Sequence, residues 1–206
     1  METNFNEKES LRIINEMITQ AQNNFRIGAA DPSIFCGYFV ASVAMLNFVL
    51  LYILENPLVS FHVWWLMIPM VSVSRWIGRI NAKKAGVRTH IDKIVTAIWS
   101  AFPISSAFFL LVIFWGNYYF QTYHFNLLIT PVILIFNGMA QFVTARALRM
   151  KSYLYASFLF WAGSLACIWV FAIDAGQFQF VILAICTVFG LAVPGHILNK
   201  KAKEHV

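Results

Sequence analysis

Few residues inside the apolar stretches of this 206-residue chain could do chemistry. Asn137 and Gln141 lie four apart, so on a helix their amides share one face. Such a pair could line a polar path, but amides at this spacing more commonly hydrogen-bond helices together. We keep Asn137 and Gln141 as the candidate intramembrane polar site and expect the second role. The other polar residues in these stretches are mild: Asn47, Ser72, Ser74, Ser105, Ser106, Ser164 and Thr187. No Asp or Glu lies deep in any of them, which disfavours a carboxylate-based proton-coupled mechanism. His62, His124, Glu55 and Asp174 fall near one predicted surface and have the donor types of a metal site. They form no close pair of the HxH or HxxxH kind, so no metal is expected. Cys36, Cys167 and Cys186 are far apart, follow no metal spacing, and read as small apolar residues. A nucleophile elbow, zinc-protease motif, phosphate loop and dinucleotide fingerprint are all missing. The expectation is a non-enzyme with no cofactor.

The elements that would hold these residues are set by composition. Hydrophobic residues make up 60% of the chain and charged residues 12%, against about 45–50% and 25% in soluble domains. Mean hydropathy is +0.68. A soluble globule of this make-up would expose large apolar patches to water, so an integral membrane protein is expected. Six runs approach the roughly 20 residues that cross a bilayer: Ile34–Leu54, His62–Ile80, Ile94–Trp115, Leu127–Ala145, Tyr153–Ile173 and Phe178–Leu198. They are continuously apolar rather than alternating, which disfavours a barrel and predicts helices. Pro69, Pro103, Pro131 and Pro194 lie within them, where proline frees carbonyls and bends helices.

Six spans put both termini on one side. That side carries the N-terminal segment, Asn81–Lys93, Arg146–Ser152 and Asn199–Val206. The other side carries Glu55–Phe61, Gly116–Asn126 and Asp174–Gln177, which hold none of the 15 Lys and Arg residues. Arg75 and Arg79 fall in the last turns of span two. The positive-inside rule then predicts cytoplasmic termini. A pI near 9.4 is thus an orientation signal, and no nucleic-acid partner is expected. Trp64, Trp65, Trp115, Tyr118, Tyr119 and Tyr123 gather at the predicted outer boundary, as an interfacial belt does.

Residues 1–33 are polar and lack the features of a secretory signal, so this segment is expected to be retained. Within it, Leu11, Ile14, Ile18, Ala21 and Phe25 form one stripe of an amphipathic helix. Asp31-Pro32 is expected to break the chain before the membrane. The helix is expected first on the protein's own cytoplasmic face, next on a partner protein or second copy, and last on lipid. Glu7 and Glu9 disfavour anionic lipid, and we take Leu11, Ile14, Ile18 and Phe25 as the candidate partner-binding residues. The chain therefore divides into the cytoplasmic segment 1–33, a six-helix membrane domain 34–198 and a basic cytoplasmic tail 199–206.

The odd spans share an aromatic landmark (Tyr38, Trp99 and Trp161) and the even spans a glycine (Gly78, Gly138 and Gly195). Spans two and six also end alike, in Asn81-Ala82-Lys83-Lys84 and Asn199-Lys200-Lys201. Three parallel hairpins in quasi-repeat would give this pattern, and so would the shared needs of membrane boundaries. The opening Asn-Glu-Lys-Glu-Ser-Leu-Arg-Ile-Ile-Asn-Glu-Met-Ile, Gly37-Tyr38, Thr89-His90-Ile91-Asp92-Lys93-Ile94 and Pro194-Gly195 carry a further likeness. On these the chain resembles a group of small six-span inner-membrane proteins of Bacteroides-type bacteria. The resemblance implies a bacterial inner-membrane location and no chemistry. The overall expectation is an all-α polytopic membrane protein. It would act as a scaffold or regulator holding a partner at its cytoplasmic face, with a small transporter or channel as the alternative.

Overall fold

The computed structural model describes residues 9–13, 28–84 and 90–204. Among these every regular element is helical. We number the main helices α1 (Asp31–Ile53), α2 (Met67–Lys84), α3 (His90–Phe120), α4 (Ile129–Leu148), α5 (Lys151–Ala172) and α6 (Gly176–Glu204). Short helical turns at Pro57–Ser60, Phe61–Leu66 and His124–Leu128 fill the connections at one end.

Asp31-Pro32 starts α1 rather than breaking the chain ahead of it. Proline at the first helical positions gives up an N–H that has no intrahelical partner, and an acidic side chain suits the helix N-terminus. α3 runs through the expected outer loop as far as Phe120, where Gln121 takes a left-handed φ of 51°. α4 and α5 are joined by Arg149 and Met150 alone, with Arg149 at φ 52° closing α4. So short a link forces the two helices antiparallel. The tail expected at 199–206 is in its described part the last turns of α6, with Ala202 fully buried.

Five of these helices are long and apolar enough to cross a membrane. α2 differs from the expected second span. Phe61–Leu66 is 3-10 helix, and the α-helical part has 18 residues. Arg75, Arg79, Lys83 and Lys84 all fall from its ninth residue onwards, so by composition it does not qualify.

The core lies among α1, α4, α5 and α6. Ala44, Leu134, Phe160, Cys167 and Ala192 have no exposed surface. α1 along α6 and α4 against α5 make the two broadest contacts, and α5 also packs on α6. α2 and α3 are peripheral: α2 packs chiefly on α1 and α3 chiefly on α4, with no comparable contact joining α2 to α3 among the described residues. The outer faces of α3, including Phe108, Val112, Phe114 and Tyr119, are exposed, as side chains that face lipid would be. Of the candidate partner-binding residues, Leu11 is 62% exposed, and Ile14, Ile18 and Phe25 lie outside the described residues.

Candidate functional site

The interruption of α6 is the centre of the polar interior. α-Helix gives way to a π turn over Val188–Ala192 and resumes at Val193. The cause is local: Pro194 has no N–H to offer the carbonyl four residues back, which is that of Gly190. The freed carbonyl is buried and must find another donor. Gln141 on α4 supplies it, its Nε2 donating to the Gly190 oxygen at 2.6 Å. The next carbonyl, that of Leu191, accepts from Ser33 Oγ on α1 at 3.3 Å. α6 is thus held at its break by one side chain from each of two other helices.

Glycines make this approach feasible. A Cβ on Gly37 would stand 2.9 Å from the Ala192 nitrogen and 2.9 Å from the Thr187 oxygen, both backbone atoms. A Cβ on Gly190 would overlap the Phe160 ring. Thr187 turns its hydroxyl back on its own helix, donating to the Leu183 oxygen at 2.9 Å.

The two amides singled out from the sequence part company here. Gln141 reaches α6, whereas Asn137 donates to the Ile133 oxygen of its own helix at 3.0 Å. One turn beyond Gln141, Thr144 accepts from Trp99 Nε1 on α3 at 3.1 Å and donates to the Ala140 oxygen at 2.8 Å. Asn47 on α1 is fully buried, and neither its Nδ2 nor its Oδ1 has a hydrogen-bond partner among the described residues. Gln141 Oε1 is likewise unpartnered.

A second polar cluster ties the helix ends around Asp31. Asn199 on α6 donates to Asp31 Oδ1 at 2.6 Å, and Asn81 on α2 donates to Asp31 Oδ2 at 2.8 Å. Asn81 Nδ2 also lies 2.8 Å from the Gly28 oxygen. One carboxylate therefore holds α2 and α6 to the start of α1 through the two asparagines of the matched Asn-containing endings. Pairwise spacing in the sequence marks those asparagines as equivalent, but nothing in it points to Asp31 as their common acceptor.

The residues weighed as metal ligands do not assemble: no three of His, Cys, Asp and Glu come together among the described residues. His62 Nδ1 lies 3.0 Å from the carbonyl oxygen of Val59 in its own turn. Cys36 Sγ donates to Ser74 Oγ at 3.3 Å, joining α1 to α2. No protein-family model matches the chain, and neither does any curated protein or solved structure.

Proposed function

We propose that the chain is an integral membrane protein of six spans with cytoplasmic termini, acting as a non-enzymatic scaffold or regulator that holds a partner protein at its cytoplasmic face. One observation carries this reading: most of the buried polar side chains among the described residues are engaged with backbone. Phe160, Leu134 and Gln141 have no exposed surface. Asn137, Thr144, Ser157 and Thr187 donate to the backbone of their own helices. Side chains used in this way hold a bundle together and leave little to handle a solute. A bacterial inner membrane is the location that the family resemblance implies.

α2 counts as the second span in this proposal, because Arg75, Arg79 and Lys83 are long enough to reach towards the surface. Cysteines introduced at positions 57 and 121 should label from outside intact cells, and one at 86 should not; the reverse pattern overturns the topology. Ile14→Asp with Ile18→Asp should then lower site-specific crosslinking of the N-terminal helix to its partner without altering that labelling. Unchanged crosslinking would exclude the stripe as the docking element.

The broken α6 favours a second reading, a small transporter, since interrupted helices build substrate sites in such proteins. Three parallel hairpins would also suit it. Two contacts lie at or beside the landmarks: Gly138 lies against the Trp161 indole, and Tyr38 lies against His196, the residue after Gly195, with ring centroids 5.9 Å apart. A contact of Trp99 with Gly78 would complete the pattern; Trp99 instead bonds Thr144. Solute flux into proteoliposomes that is abolished by Gln141→Leu would decide for transport.

A further inference from the structure

Arg75, Arg79 and Lys83 lie on one exposed face of α2. Each step of four residues advances about 6 Å along the axis and keeps nearly the same side. The opposite face is fixed to α1: Ser74 bonds Cys36, Asn81 bonds Asp31, and Gly78 lies against Pro32. The basic stripe therefore points away from the protein. None of its three cations has a hydrogen bond, ion pair or ring contact to another described residue. Further from the Lys83 end, the same side of the helix presents Ile68, 61% exposed, and Trp76, 63% exposed.

Three like charges in a row repel one another, and the penalty rises as the dielectric falls. Arg75 stands five residues before Ile80, about 8 Å inside the end of span two, so its guanidinium reaches towards the headgroups from within the span. Among the described residues none supplies a counter-ion on this side, and the surroundings can offer one. A phosphodiester fits: guanidinium offers a planar fork to two phosphate oxygens, and an apolar surface beside it takes hydrocarbon. We propose that this face of α2 binds an anionic phospholipid, with its headgroup phosphate at Arg75 and Arg79 and its acyl chains along Ile68 and Trp76. The proposal rests on the reading of α2 as a membrane span.

Native mass spectrometry of the full chain with phosphatidylglycerol and phosphatidylcholine tests it. The wild type should retain phosphatidylglycerol preferentially. Arg75→Gln with Arg79→Gln should weaken that binding about thirtyfold, at about 1 kcal/mol per basic residue. Arg75→Lys with Arg79→Lys should keep most of it, and Lys200→Gln with Lys201→Gln should leave it unchanged. Equal retention of the two lipids, or an equal loss in the tail variant, overturns the site. Should the glutamine variant fail to insert, a photoreactive phosphatidylglycerol on the wild-type chain gives the answer: labelling should concentrate within 68–83, and labelling elsewhere overturns the proposal. Outside labelling of Pro57→Cys separates the two failures. If it holds while lipid binding fails, only the lipid site falls; if it fails, the span itself falls.

Discussion

Gln141 and Asn47 are both fully buried amides, yet opposite outcomes are expected when each is replaced by leucine. Gln141 satisfies the carbonyl that Pro194 leaves open, so Gln141→Leu strands a buried acceptor at a cost of about 1–3 kcal/mol. Asn47 has no partner among the described residues to strand. Asn47→Leu removes two unpaired polar groups from the core and should leave stability unchanged or raise it by about 1 kcal/mol. Thermal unfolding of the two variants in detergent checks both signs at once; a loss at Asn47 as large as that at Gln141 would show that Asn47 has a partner of its own. At this scale the sequence was legible in part. Two amides on one face and a proline in another run were visible, and the orphaned carbonyl follows from the i−4 rule. That Gln141 and Gly190 meet was not, because the bond joins residues 49 apart and depends on how α4 packs on α6.

The helices themselves follow closely from their apolar runs, since burial in lipid demands long, continuous hydrogen-bonded segments. The exception is α2, where aromatic and branched residues at Phe61–Leu66 give 3-10 helix and charge fills the other end. The break in α6 was foreshadowed only by Pro194. If the proline is what makes Gln141 necessary, the two residues must be energetically coupled. Pro194→Ala restores an N–H that can serve the Gly190 carbonyl within α6. The cost of Gln141→Leu should then shrink towards zero in the Pro194→Ala background, a coupling of about 1–2 kcal/mol in a double-mutant cycle. Additive losses would mean that Gln141 acts on stability by packing and not through that carbonyl.

At the scale of the whole molecule, the peripheral helix α2 and the core helix α6 share one anchor. The similar endings at Asn81 and Asn199 were visible as a repeat, but their meeting at a single carboxylate depends on α1 lying between α2 and α6, an order that periodicity cannot give. Asp31 offers two oxygens and each accepts from one asparagine, at 2.8 Å and 2.6 Å. Asp31→Ala removes both acceptors and should loosen the two helix ends together, raising amide exchange in 81–84 and 199–204 while α4 and α5 keep their protection. Asp31→Asn retains one acceptor oxygen and replaces the other with a donor that faces a donor. It should therefore release only one of the two ends fully, and give an intermediate loss of stability. Measured by hydrogen exchange on the purified protein, a graded series of wild type, asparagine and alanine supports a shared anchor. Release of one end by Asp31→Ala with the other unmoved would mean that α2 and α6 are held independently, α2 through Cys36–Ser74 and Asn81–Gly28, and α6 through its contacts with Ser33 and Gln141.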